Sequence, residues 1–127
     1  MKKIVLCFGS FGAEGDDIAF KICERLEGKM SGVIFKKCIS PMDILDFAEK
    51  GNLFILDAVR GLDNVMVFES TDEFRKVKSL TAHDLDLGTV MKVLKGAGKI
   101  RDIKIIGIPA SSDHIKAAKE VERILSS

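Results

Sequence analysis

Asn52-Leu53-Phe54-Ile55-Leu56-Asp57 is the stretch on which the reading of this chain turns. Leu53 to Leu56 is the most hydrophobic short run in the sequence, and it ends abruptly on a carboxylate. A continuous apolar run of this length reads as a strand covered on both faces, the kind found at the centre of a parallel sheet. A carboxylate placed directly after such a strand is costly to bury unless it is paired, coordinated or solvated in a cleft. Asp57 is therefore a candidate functional residue. Two plainer readings stand beside it: a turn-initiating Asp bonded to backbone N–H groups near Gly61, or a local salt bridge to Arg60.

The flanking sequence supplies the rest of the sheet. Upstream, Lys3 to Phe8 is a second buried strand, followed by a loop containing Gly9, Gly12 and Gly15. Asp16 or Asp17 caps the next helix, whose inward stripe is Ile18, Ile22, Cys23 and Leu26 and which Gly28 ends. Val33 to Ile39 reads as a strand. Ser40-Pro41 then opens a helix with Ile44, Leu45 and Ala48 inward, stopped by Gly51.

Downstream, Val65 to Glu69 is a short strand. Its link to the central strand is too short for a helical crossover, so the two are expected to be antiparallel. Ser70 to Ser79 reads as an exposed loop, and a helix from about Asp84 to Lys95 carries Leu87, Val90, Met91 and Leu94. Gly96-Ala97-Gly98 breaks it. Ile103 to Ile108 is the last strand, and Ser112 to Leu125 is a closing helix with Ala118, Val121 and Leu125 inward. Alternation of this kind predicts an α/β fold: a three-layer α/β/α arrangement around a mostly parallel five-stranded sheet with one antiparallel strand. The 127 residues are expected to form one domain.

Composition narrows the function classes. Twenty basic and nineteen acidic residues leave a net charge of +1, without the concentrated basic face that nucleic acid or an anionic membrane requires. Cys7, Cys23 and Cys38 contain no C-x-x-C pair and fall on apolar faces, so they are expected to be reduced and buried. Met1-Lys2-Lys3-Ile4 runs straight into a strand without a signal-peptide core, and no segment approaches the ~20 apolar residues of a membrane span. The expectation is a soluble cytoplasmic protein without membrane insertion.

The glycine loop does not match G-x-G-x-x-G, and no Gly-Lys-Ser/Thr follows it. Glu14, Asp16 and Asp17 also place negative charge where a helix N-terminus would otherwise attract an anion. An acidic loop that meets a cation and a simple helix cap both remain open. His83, in Thr81-Ala82-His83-Asp84-Leu85, opens a helix; alone it is equally a turn residue, whereas His114 reads as a solvated surface residue. The carboxyl ends of parallel strands form the crevice where α/β proteins bind ligands. Asp16, Asp57 and His83 all fall at that edge in this reading, as a mixed oxygen and nitrogen donor set. No serine or cysteine nucleophile stands out: G-x-S-x-G is absent and the cysteines lack a polar setting.

Ile4-Val5-Leu6-x-Phe8-Gly9-Ser10, Gly15-Asp16-Asp17, Leu53-Phe54-Ile55-Leu56-Asp57-Ala58-Val59, Thr81-Ala82-His83-Asp84-Leu85 and Ile105-Ile106-Gly107-Ile108 occur in that order. Taken together the set resembles the hydrogenase maturation endopeptidases, over almost the whole chain. The resemblance implies a metal-dependent endopeptidase, aspartyl-type by classification. It would remove the C-terminal extension of a [NiFe] hydrogenase large-subunit precursor after nickel insertion. It implies Asp16, Asp57 and His83 as the nickel-contacting and catalytic trio, with Asp17 as the alternative to Asp16, and nickel supplied by the substrate. Ser10 stands where the family usually has Asn, Ala19 where Gly is common, and no Gln or Glu follows Ile108. Two other functions compete: a flavodoxin-like module binding a nucleotide or flavin, and a family member that binds the precursor without cutting it.

Overall fold

The computed structural model describes residues 2–9, 17–47, 52–69, 96, 98 and 103–127. Five strands form one sheet: Lys3–Phe8 (β1), Val33–Cys38 (β2), Asn52–Val59 (β3), Met66–Phe68 (β4) and Ile103–Pro109 (β5). Their order is β2-β1-β3-β5-β4. β1 pairs in parallel with β2 and β3, and β3 in parallel with β5, so the Leu53–Leu56 run does lie at the centre. β4 is the antiparallel strand, as its short link to β3 requires. Its ladder partner is β5 rather than β3, because β5 occupies the position beside β3.

Strand alternation divides the core between the two faces of the sheet. Val5, Cys7, Phe54, Leu56, Ile106 and Ile108 point to one face. The helices Ile18–Leu26 (α1) and His114–Leu125 (α2) cover that face with Ile18, Ile22, Cys23, Leu26, Ala118, Val121 and Leu125. Every inward residue assigned to these two helices from their periodicity is buried. Leu6, Ile55, Val59 and Ile105 point to the other face, where Ile44 and Phe68 pack against them. The helix expected over 84–95 and its inward residues lie outside the described residues, apart from Gly96, which is helical, and Gly98, which turns with φ +72°.

The segment after Ser40 is a 3-10 helix, Pro41–Asp46, where an α-helix was expected. Its start is as anticipated. Ser40 Oγ accepts from the Met42 N–H, and Asp43 Oδ2 accepts from the Ile39 and Ser40 N–H groups. Ile44 is fully buried, but Leu45 is 46% exposed and Met42 55%. One buried side chain among the described residues of this segment is little to stabilise further turns, since short helices depend on packing. Ala48 falls outside the described residues.

Among the described residues no helix is long and apolar enough to cross a membrane. Cys7, Cys23 and Cys38 are free and buried, as expected. Burial pushes the Cys7 thiol well up and that of Cys38 up to about 12. A hydrogen bond with Cys7 lowers that of Cys23. Cys23 is itself only 1% exposed, so none of the three is an accessible nucleophile.

Candidate active site

Asp57 does not close β3. The strand runs on through Ala58 and Val59, paired with β5 at Asp57↔Gly107, Ala58↔Ile108 and Val59↔Pro109. The turn comes later, at Arg60 and Gly61, where Gly61 takes the φ of +87° that L side chains rarely adopt. A turn-initiating role for Asp57 is thereby removed. Arg60 is exposed, and among the described residues no ion pair joins it to Asp57.

Asp57 is 4% exposed, the one buried charged side chain among the described residues, and its surroundings engage it. Its position in the ladder gives it a distinct setting. Pairing of β1 with β3 ends at Cys7↔Leu56, one row before Asp57. β5 continues alongside for two rows beyond. In the row of Asp57, Phe8, the last residue of β1, still pairs with Cys38 of β2 but is no longer laddered to β3. This is the carboxyl edge of the parallel strands, the usual ligand crevice of an open α/β sheet. By alternation Asp57 shares the face of Leu53, Ile55 and Val59, opposite to the one covered by α1 and α2.

Asp16 and His83 lie outside the described residues, so the trio is represented by Asp57 alone. Asp17, the alternative to Asp16, sits at the N-cap position of α1 without a capping hydrogen bond from its side chain. Its carboxylate instead pairs with Lys21 at 3.5 Å, with both side chains well exposed. His114 stands at the first turn of α2, where Asp113 Oδ1 accepts from the Ile115 N–H at 2.9 Å.

Gly107, the ladder partner of Asp57, was quoted from the sequence only within a motif, and Leu62 and Phe68, which close on Gly107, were given no site role there. A Cβ added at Gly107 would lie 3.0 Å from Phe68 Cε2, 3.1 Å from Leu62 Cδ1 and 3.2 Å from Val59 Cγ2. The signal was present in Ile105-Ile106-Gly107-Ile108, because glycine inside an apolar strand marks a close approach.

A cavity of about 620 Å³ bounded by described residues lies elsewhere, at the amino ends of the strands. Lys3, Asn52, Lys104 and Arg123 line it. Lys3 Nζ already donates to the carbonyls of Leu125 and Ser127, and Arg123 is paired with Glu120. The buried carboxylate at the carboxyl edge is the stronger candidate, because a charge retained in a core needs a reason.

A scan against protein-family models and a search of curated proteins give no match. Solved structures do. The chain superposes on the hydrogenase maturating endopeptidase HybD from E. coli with a TM-score of 0.73 and 21% identity, covering 99% of this chain and 91% of that one. The [NiFe] hydrogenase maturation protease HybD from Thermococcus kodakarensis gives 0.70 and 24% identity, with both chains fully covered. The endopeptidase HycI from Escherichia coli gives 0.73 and 19% identity, over 97% and 88%. This protein has the fold of the hydrogenase maturation endopeptidases, as its ordered motifs led one to expect.

Proposed function

We propose that this protein is an endopeptidase that removes the C-terminal extension of a [NiFe] hydrogenase large-subunit precursor after nickel insertion, in the cytoplasm. One observation carries the reading. Asp57 is a carboxylate held nearly inaccessible at the carboxyl edge of the central strand, in a fold shared with proteins named as hydrogenase maturation endopeptidases.

In this reading Asp16, Asp57 and His83 meet the nickel that arrives with the substrate. Two carboxylates and an imidazole suit a borderline divalent ion and leave coordination positions for the precursor's own ligands. Nickel held between the two proteins would polarise the scissile carbonyl or activate water, and its presence would report that the precursor is loaded. Asp57, fixed by the strand ladder, supplies the rigid member of the set.

The test is cleavage of nickel-loaded and nickel-free precursor by wild type and by the single variants Asp16→Ala, Asp57→Ala and His83→Ala. The expected result is cleavage of loaded precursor alone, with a loss of at least about 100-fold in each variant. Full activity in the Asp57 and His83 variants refutes the mechanism. Equal cleavage of both precursors refutes the nickel check.

A further inference from the structure

We infer that Gly107 is a positioning residue for the candidate site. Its bare α-carbon lets Phe68 and Leu62 close against β5 in the row beside Asp57, and this apolar wall fixes where the Asp57 carboxylate sits. The inference rests on the reading of Asp57 as a site residue.

Asp57 and Gly107 are direct partners in the β3–β5 ladder. Partners on adjacent parallel strands share a face and stand about 5 Å apart. Any side chain at 107 would therefore project next to the Asp57 carboxylate. That space is taken from three directions. Val59 comes from β3 itself, Leu62 from the turn after it, and Phe68 from β4, all within 3.2 Å of where the Cβ would be.

Phe68 is in register with Ile105 and Met66 with Gly107, so the Phe68 ring leans along the sheet from its own row to that of Gly107. Val59 is fully buried and Phe68 3% exposed, which leaves neither free to swing into solvent. Glycine within a strand is destabilising relative to alanine. A close ring contact beside a buried carboxylate is a local reason for bearing that cost.

A methyl group at 107 pushes the ring or Val59, and both border the Asp57 row. Displacement of a reacting group by about 1 Å is enough to lower turnover by as much as ~100-fold. A smaller side chain at 68 gives the methyl group room again. Gly107→Ala and Phe68→Leu are thus expected to be harmful singly and compensating together, which a double-mutant cycle detects.

The experiment compares wild type, Gly107→Ala, Phe68→Leu and Gly107→Ala/Phe68→Leu by two readouts. The first is kcat and KM for nickel-loaded precursor. The second is the carboxyl ¹³C chemical shift of Asp57 at one fixed pH in the metal-free protein. Expected is a fall in kcat of about 10-fold in each single variant with KM changed less than about 2-fold, and recovery of at least half the loss in the double variant. The Asp57 resonance should move in each single variant and return in the double. An unmoved resonance in both single variants overturns the inference, as does a kcat loss that the double variant fails to relieve. If wild type cleaves nothing, the endopeptidase reading fails, while the Asp57 resonance still decides whether Gly107 positions it. Should Gly107→Ala not fold, Phe68→Leu alone probes the same wall, and an unmoved resonance there overturns the inference.

Discussion

Raising the pH from 8 to 11 should destabilise this protein through Cys38, and by an amount the structure sets. Cys38 is 2% exposed, and burial pushes its thiol from 9.0 to about 12, with Asp43 and Asp46 adding to the shift. The unfolded chain loses this proton near pH 9, whereas the folded chain holds it to about pH 12. Stability from the buried neutral thiol is therefore complete below pH 9 and is lost as pH rises through the window from 9 to about 12. At 1.36 kcal/mol per pH unit, the loss reaches about 3 kcal/mol by pH 11, a large share of a typical 5–15 kcal/mol. Cys38→Ala removes the titration in exchange for a pH-independent packing loss of about 1 kcal/mol. Urea unfolding of the two proteins at pH 8, 9, 10 and 11, with reductant throughout, isolates Cys38, since lysines and Cys7 are common to both. Wild type should be the more stable at pH 8 and the variant the more stable at pH 11, with the curves crossing near pH 10. Parallel curves across the whole range would refute the placement of this thiol in a dry core.

Other outcomes follow from the same geometry. Asp17→Asn should leave precursor cleavage within about 3-fold of wild type while Asp16→Asn does not, because an exposed ion pair such as that of Asp17 with Lys21 contributes little; the reverse pattern would transfer the site to Asp17. Ser40→Ala and Asp113→Ala each remove a cap acceptor. Each should lower stability by about 1 kcal/mol in denaturant unfolding without changing kcat. A Ser40→Ala variant that unfolds at the same urea concentration as wild type would show that the 3-10 turn does not depend on its cap.

The sheet was legible because its strands are buried on both faces, and such strands announce themselves as unbroken apolar runs. Lys3 to Phe8, Leu53 to Leu56 and Ile103 to Ile108 need no context to be read this way. The two described α-helices were equally plain, since each presents one apolar stripe to one face of the sheet. Two things were not legible. The 3-10 turn carries helix-start chemistry at Ser40, Pro41 and Asp43, and only tertiary packing decides that Leu45 stays out. The end of β3 was misplaced because a carboxylate looks like punctuation in a hydrophobic run, whereas a ladder with β5 extends past it. That error bears on function. The sequence suggested a carboxylate at the mouth of the sheet, and the fold shows Asp57 built into it.

The placement of Asp57 within paired backbone has a consequence for exchange and assembly. Amides on β3 belong to the part of the molecule expected to open only on global unfolding, so their hydrogen exchange should be among the slowest in the protein. A group carried on such a segment is present before any partner arrives. If Asp57 meets a partner as proposed, the entropy of fixing Asp57 itself has already been met by folding.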